Sequence, residues 1–269
     1  MVRGCTKTTA KLAIGHALEQ WSGYCQRYSP RTRLIYASLL TEFVHYAHPQ
    51  TIQDIQPPEL QTFINSLLSH HAHTSVNTYI IALKSFCRWL CDTYGLPNVS
   101  AKLRKLPDNK GESRCLSDEE YRKVLTIAGS DDYHIIRFLC NTGLRITEFI
   151  GIKPSDLTGK WLVVRTKGRK INHIPLNNAA LDSISHIMDM SKSARTISRH
   201  CHELAQKAGI PRFSPHACRH YFATQLLSKG VSIHHVSKLL SHSSVTITEK
   251  IYWHFRHTDL VGLTDCLDL

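Results

Sequence analysis

A polar and basic stretch, AKLRKLPDNKGESRC (residues 101–115), divides this sequence of 269 residues into two parts. The stretch contains Pro107 and Gly111 and has no apolar periodicity, a composition that is typical of connections between domains. A chain of this length can form two modest domains, each with its own core. We therefore predict a first domain over residues 1–100, a linker over 101–115 and a second domain over 116–269.

The first hundred residues have the apolar spacing and the end signals of helices. In SPRTRLIYASLLTEFVHYA, Ser29 occupies the N-cap position and Pro30 the first helical position. Two further segments, PPELQTFINSLLSH and SVNTYIIALKSFCRWLCDTYG, place apolar residues three and four apart. Gly95 and Pro97 end the last of these helices. The first domain is therefore predicted to be helical.

The second domain is predicted to be mostly helical, with one small antiparallel β-sheet. Ser117 and Glu120 have the spacing of a capping box and mark its first helix. In KWLVVRTKGRKINHIPLN, two apolar runs flank TKGRK, and Gly168 makes this segment a hairpin. The segments before and after the hairpin have helical patterns. We expect a mainly α (α+β) protein.

The charge balance favours a polyanionic partner, although a merely basic protein would show the same balance. The net charge is +12, and Lys and Arg exceed Asp and Glu by six in residues 1–110 and by six again in residues 111–269. A nucleic acid contacted along the whole molecule would suit this even distribution. No transmembrane helix or signal peptide is expected, since no long apolar run is present, and we expect an intracellular, cytoplasmic protein.

One helix of the first domain has a polar face that could contact DNA. Asn77, Lys84 and Arg88 fall on a different face from the apolar stripe of SVNTYIIALKSFCRWL. This face is either solvated or contacts a DNA backbone.

The segment SPHACRH allows three interpretations. Ser214 and Pro215 mark a helix start, and His216 and Arg219 share one face of its first turn, where free backbone N–H groups suit a phosphate. Alternatively, His216 and His220 could bind a metal, but a third ligand and the Glu of an HExxH motif are missing. The segment could also be an ordinary helix. The nine cysteines form no pair of CxxC motifs, so no metal site is predicted.

Three other segments contain candidate residues, each with an ordinary alternative. In NTGLRITEF, Glu148 follows Arg145 by three residues and could hold it in place, although exposed pairs of this kind are common and weak. Lys167 lies in the hairpin turn, where it is either solvated or donates a proton in a DNA groove. Tyr252, ten residues after His242, is either a core residue or a nucleophile held among cationic partners.

Taken together, these segments resemble the tyrosine recombinase family, also called phage-type integrases. The match is close in TGLRITE, in SPHACRHYFATQLLSKGVSIHHVSKLLSHSSVTITEKIYWH and in the lysine-bearing hairpin, and the helical first domain resembles the core-binding domain of the family. The resemblance covers nearly the whole chain. The residues that match are, in chain order, Arg145, Lys167, His216, Arg219, His242 and Tyr252.

The resemblance implies a site-specific DNA recombinase that uses a 3′-phosphotyrosyl intermediate. Arg145 and Arg219 would bind the scissile phosphate and stabilise the charge of the transition state. Tyr252 would attack phosphorus, and Lys167 would protonate the leaving 5′-oxygen.

The same resemblance implies supporting roles and partners. His216 would take part in proton transfer with the tyrosine, His242 would hydrogen-bond the phosphate, and Glu148 would orient the site. Neither a cofactor nor a metal is implied. The implied partners are double-stranded DNA core sites, bound by a monomer or dimer on one site and by a homo-tetramer at synapsis, in the cytoplasm at the nucleoid. The sequence does not identify any accessory proteins that act with it.

The sequence departs from the family pattern near Tyr252, and two other functions are separate alternatives. Ser241 stands where the family usually has glycine, and Tyr252 follows His242 by one residue more than in many members. A type IB topoisomerase-like enzyme or a catalytically inactive DNA-binding relative would share many of these residues. Since residues 1–10 leave little room for an arm-type DNA-binding domain, we expect a simple recombinase of short core sites.

Overall fold

The computed structural model describes residues 12–107, 115–166, 170–188, 190, 192–241 and 246. The chain divides into two compact units, Met1–Gly111 and Glu112–Leu269. The described residues are mostly helical and include one three-stranded antiparallel sheet. The predicted fold class is therefore confirmed.

In the described residues of the first unit, four α-helices surround one apolar core. Ser29 begins the second helix as predicted, because its Oγ accepts a hydrogen bond from the Thr32 backbone N at 3.2 Å. Phe43, Phe63 and Phe86 lie at the centre of the core, each at most 1% exposed. The helices are α1 (Ile14–Tyr24), α2 (Pro30–Ala47), α3 (Pro57–Leu67) and α4 (His73–Tyr94), with 3-10 turns at Cys25–Arg27 and Ile52–Asp54.

After α4 the chain turns back along the same helix, in what we call the return segment (residues 98–107). Gly95 allows this turn because it ends α4 in the left-handed region, with a φ of +69°. Leu103 is 6% exposed and belongs to the core of the first unit. The return segment is thus part of the first unit, whereas the sequence placed most of it in a linker beginning at residue 101.

Polar side chains of α4 hold the return segment. The Asn77 amide donates from Nδ2 to the Leu106 carbonyl at 3.1 Å and accepts at Oδ1 from the Leu106 backbone N at 2.8 Å. The Lys84 ammonium donates to the Leu103 carbonyl at 2.6 Å. A side-chain amide that pairs with both backbone groups of one residue replaces the partners that an irregular segment otherwise lacks. This explains why polar residues lie on the inner side of α4.

The second unit contains seven α-helices and three strands within its described residues. Its first helix begins with the predicted capping box, since Ser117 Oγ accepts from Glu120 N and Ser117 N donates to a Glu120 carboxylate oxygen, both at 3.1 Å. A 3-10 turn at Pro154–Asp156 precedes the first strand. The elements are α5 (Asp118–Ile127), α6 (Ser130–Thr142), α7 (Ile146–Phe149), β1 (Leu157–Thr158), β2 (Trp161–Arg165), β3 (Ile171–Pro175), α8 (Asn178–Ile187), α9 (Ala194–Ala208), α10 (Pro215–Ser228) and α11 (Ile233–Leu239).

The sheet has the strand order β1-β2-β3 with antiparallel pairing throughout. Strands β2 and β3 form the predicted hairpin, with Leu162 opposite Ile174 and Arg165 opposite Ile171. Lys167 and Gly168, in the predicted turn, lie outside the described residues. The two-residue strand β1 has no signal in the sequence, because so short a pairing has no measurable alternation.

Helix α6 is the centre of the core of the second unit. Ile135, Ile136, Phe138 and Leu139 on this helix are each at most 1% exposed. The helix packs against α8 on one side and α10 on another. Within the described residues, none of the helices combines the length and the apolar character needed to span a membrane.

The contacts of Asn77 generate a prediction about stability. Asn77→Ala removes both hydrogen bonds to Leu106 and leaves half-buried backbone groups without these partners, so the free energy of unfolding should fall by about 1–3 kcal/mol. Urea denaturation of the full chain, followed by tryptophan fluorescence, measures this. The control is Arg88→Ala on the same helix, because Arg88 is exposed and pairs with Asp92 on the surface. A change in Asn77→Ala no larger than that in the control would contradict the structural role.

Candidate active site

Arg145 and Glu148 form one rigid unit at the start of α7. The Arg145 backbone N donates to Glu148 Oε2 at 2.8 Å, and the Arg145 guanidinium donates to Glu148 Oε1, also at 2.8 Å. The Glu148 side chain is 7% exposed and that of Arg145 is 35% exposed. Because a single buried carboxylate binds both the backbone and the side chain of Arg145, this pair differs from an ordinary solvated ion pair.

Gly143, two residues earlier, allows the chain to turn sharply from α6 into this unit. Its φ is +64°, and a Cβ at this position would lie 2.4 Å from Phe222 Cδ1 and 2.7 Å from Leu240 Cδ2. Both the backbone conformation and the close packing therefore require glycine. Gly143 brings the chain against α10 and the end of α11 directly before Arg145.

Helix α10 begins as predicted and presents His216 at its first turn. Ser214 Oγ accepts a hydrogen bond from the Ala217 backbone N at 3.4 Å, and Pro215 occupies the first helical position. The His216 side chain is exposed. Desolvation by the surrounding protein, and then the charges of Arg219 and Arg145, lower the pKa of His216 below its usual value. This shift favours the neutral imidazole of His216.

Arg219 is buried and connects two segments of the second unit. Its guanidinium donates to the Gly143 carbonyl at 2.7 Å and to the Leu240 carbonyl at 2.5 Å. Only 4% of the residue is exposed, and burial followed by the charge of Arg145 lowers the pKa of Arg219 to about 10. The guanidinium still has its full charge at pH 7, and the structure holds this cation close to Arg145.

His220 lies one helical turn after His216, and the two rings pack edge to face. The ring centroids are 4.5 Å apart at an interplanar angle of 82°. His220 is 6% exposed, and its Nδ1 has no hydrogen-bond partner among the residues that the structure describes. Burial, and then the proximity of His216 and Arg219, lower the pKa of His220 to about 4. His220 is therefore a neutral ring that packs against His216.

Helix α11 ends beside this group of side chains in a strained backbone conformation. Ser241 has a φ of +51°, in the left-handed region that favours glycine. Its backbone N donates to the Lys238 carbonyl at 3.0 Å, as in a normal helix end. The structure thus gives a physical reason why glycine is usual at this position, because Ser241 adopts a glycine-like backbone conformation.

The remaining candidate residues fall into two groups, those outside the described residues and those in the first unit. Lys167, His242 and Tyr252 lie outside the described residues. In the first unit, the polar groups of Asn77 and Lys84 are bound to the return segment, and Arg88 pairs with Asp92 at the surface at 3.2 Å. DNA contact by these three residues stays a prediction, and the structure gives Asn77 and Lys84 a different, structural role.

No metal centre is formed by the part of the chain that the structure describes, since it contains no suitable group of three or more His, Cys, Asp or Glu side chains. The chemistry of the described site is instead that of an anion-binding site. Two guanidinium groups and the start of α10 surround a neutral imidazole, and the only carboxylate bound to either guanidinium in the described residues is that of Glu148. Such an arrangement has the chemistry needed to bind a phosphate group and to transfer a proton.

Asn172 is a residue near this site that sequence reasoning missed. It lies in β3, and its Nδ2 donates to the Leu239 carbonyl at the end of α11 at 2.9 Å. A signal was present, because Asn172 is two residues before the buried Ile174 and therefore lies on the inward face of the strand. A polar residue on an inward face needs a partner.

The burial of His220 predicts a pH dependence of stability. The pKa is about 4 in the folded state and about 6.5 in the unfolded chain, so the unfolded state binds more protons between these values. Stability should therefore fall as the pH is lowered from 7 to 5, by about 2 kcal/mol from this group. In His220→Phe, the free energy of unfolding measured by urea denaturation should fall by about 2 kcal/mol less between pH 7 and pH 5 than in the wild type. The control is His234→Phe, because His234 is exposed. This substitution should leave the change in unfolding free energy between pH 7 and pH 5 as it is in the wild type.

The backbone of Ser241 predicts a stabilising substitution. Ser241→Gly should raise the free energy of unfolding by about 0.5–1 kcal/mol, because the left-handed conformation strains a residue with a Cβ. Thermal denaturation measures the change. In contrast, Ser228→Gly at the end of α10, outside the left-handed region, should give no gain. Equal effects of the two substitutions would contradict strain at Ser241.

Two family models match the chain. Residues 114–258, more than half of the chain, match the phage integrase family, and residues 18–93 match the N-terminal SAM-like domain of phage integrases. Tyrosine recombinase XerA of Pyrococcus furiosus is 28% identical over 265 residues, covering 89% of this chain and 90% of that protein.

Solved structures have the same fold. The Tn1549 transposon integrase in complex with transposon right end DNA superposes with a TM-score of 0.79 at 16% identity, covering 96% of this chain and 100% of that chain. The lambda integrase in a tetramer bound to a Holliday junction gives a TM-score of 0.78 at 19% identity, covering 90% of this chain and 78% of that chain. The family match confirms the resemblance drawn from the sequence motifs, and the chain belongs to the phage integrase family, the tyrosine recombinases.

Proposed function

We propose that this chain is a site-specific DNA recombinase that cuts and rejoins DNA through a 3′-phosphotyrosyl intermediate. The observation that supports this most directly is the juxtaposition of Arg145 and Arg219. Their segments are far apart in the sequence, yet Arg219 is bonded to Gly143, two residues before Arg145. The names of the relatives favour a recombinase over a topoisomerase.

The two arginines would bind the scissile phosphate. Arg145 is fixed by Glu148 and remains 35% exposed, so the rest of its guanidinium can donate to a phosphate oxygen. Arg219 adds a second, buried cation close to Arg145. Two nearby cations repel each other in the free protein, and a bound phosphate would relieve that repulsion. Since the transition state of a diester has more negative charge on its oxygens, fixed cations would stabilise it.

The proposed proton transfers use one acceptor, His216, and one donor, Lys167. Tyr252 Oη would attack phosphorus, the bond from phosphorus to the 5′-oxygen would break, and Lys167 would donate a proton to that oxygen. His216 would accept the proton of the tyrosine, which its lowered pKa permits at neutral pH. His242 would donate a hydrogen bond to the phosphate. Attack by a 5′-hydroxyl then reverses these steps and rejoins a strand.

The proposed partner is double-stranded DNA, bound in the cytoplasm at the nucleoid. The net charge of +12 suits a polyanion. A homo-tetramer at synapsis, with a monomer or dimer on a single core site, is supported by the lambda integrase tetramer on a Holliday junction. The first unit is proposed as the core-binding domain and the second as the catalytic domain, in line with their separate family matches.

Covalent trapping tests the proposal. A core site is first selected from a library of random duplexes by repeated binding to the protein, and a nick is placed near the cleavage position. The wild-type chain should then form a covalent protein–DNA adduct that resists denaturation, because the nicked end diffuses away and prevents rejoining. Tyr252→Phe should abolish the adduct and leave DNA affinity unchanged within about twofold, since only the nucleophile is lost.

The matched control for trapping is Tyr133→Phe, which also removes one tyrosine hydroxyl from the second unit and should leave adduct formation unchanged. Binding of the selected site without any adduct from the wild-type chain would contradict the proposal and indicate an inactive relative. Relaxation of supercoiled plasmids that lack the site would instead indicate a topoisomerase.

A further inference from the structure

Two side chains from different elements bind the last carbonyl groups of α11. The final carbonyls of a helix have no partner within the helix. Here the Leu239 carbonyl accepts from Asn172 Nδ2 at 2.9 Å, and the Leu240 carbonyl accepts from the Arg219 guanidinium at 2.5 Å. Ser241 follows in the left-handed conformation. The end of α11 is therefore fixed from outside, by contacts that span 67 and 21 residues of sequence.

Asn172 connects this helix end to the β2–β3 hairpin. It lies opposite Val164 in the sheet, so its backbone is set by the strand pairing. Its side chain is half-buried and lies on the inward side of β3, where the strand packs against α11. The sheet thus holds the amide rigidly, and the donor can fix Leu239 in a way that a surface side chain could not.

The connected segments are those that contain the proposed catalytic residues. Asn172 follows Lys167 by five positions along the hairpin, and Leu239 precedes His242 by three. Arg219 joins the same helix end to Gly143, next to the segment of Arg145. Within the described residues, Asn172 is the only side chain of the hairpin that is bonded to α11.

We propose that Asn172 is a positioning residue of the recombinase, which acts by holding the end of α11 against the hairpin. Through this hydrogen bond it sets the backbone of Leu239–Ser241, from which the chain continues to His242 and Tyr252. Asn172 itself does not touch the phosphate. This proposal rests on the proposed function. It states that Asn172 affects the rate of cleavage and does not affect DNA affinity.

Substitutions of Asn172 test this role in the full-length chain. Asn172→Asp has nearly the same shape but replaces the donor by a carboxylate oxygen that repels the Leu239 carbonyl, and Asn172→Ala removes the group. Both should lower the single-turnover rate of adduct formation on the nicked, selected duplex by about tenfold or more, because small displacements of reacting groups are costly. The dissociation constant for the same duplex should change by less than about twofold.

The control is Asn178→Ala, since Asn178 is an exposed asparagine at the start of α8 and its side chain is not part of the site. Its cleavage rate and DNA affinity should both match those of the wild type. A merely structural role of Asn172 would weaken binding and cleavage together. Parallel losses in both, or a normal cleavage rate in Asn172→Ala and Asn172→Asp, would overturn the proposal.

Amide hydrogen exchange tests the contact without DNA, and therefore independently of the proposed function. In Asn172→Asp and Asn172→Ala, the amides of Leu240 and Ser241, which donate to Val236 and Lys238, should exchange faster. The β2–β3 amides should keep their protection. Unchanged exchange at the end of α11 would refute the role of the Asn172–Leu239 hydrogen bond. A wild-type chain that forms no adduct would refute the proposed function and leave this exchange result valid.

Discussion

The arrangement of the candidate site depends on the buried guanidinium of Arg219. This group donates to the carbonyls of Gly143 and Leu240, which belong to the turn before Arg145 and to the end of α11. A cation this deeply buried needs fixed acceptors, since desolvation alone is strongly unfavourable. The two carbonyls provide such acceptors, and because each belongs to a different segment, satisfying the charge also brings the segments together.

The neighbouring groups adapt to this charge. Glu148 offsets part of the positive potential and fixes Arg145, whereas the lowered pKa values of His216 and His220 favour their neutral forms beside the two arginines. Gly143 permits the close approach, since any side chain there would collide with Phe222 and Leu240. The same site therefore combines fixed cations for an anion with an imidazole that can accept a proton, which is the chemistry required for phosphoryl transfer through a tyrosine.

Local signals in the sequence predicted the elements well and the contacts between them poorly. The caps at Ser29, Ser117 and Ser214 were predicted because each depends on a few adjacent residues. The predicted linker begins at residue 101, because the return segment has the composition of a polar connection. In the structure, Leu103 and Leu106 of this segment pack on the core of the first unit and accept hydrogen bonds from side chains of α4. For the same reason, Asn77 was interpreted as a residue on a solvated or DNA-contacting face, although its amide binds Leu106.

The sequence by itself determined the family, the mainly helical class, the hairpin and the order of the candidate residues, since all of these follow from short motifs and their spacing. Only the tertiary structure decided that Glu148 binds both groups of Arg145, that Arg219 joins Gly143 to Leu240, and that Asn172 binds the end of α11. The physical reason is that these contacts satisfy buried charges and helix-end carbonyls across long sequence separations. The partner of a buried polar group is set by packing, which no local pattern specifies.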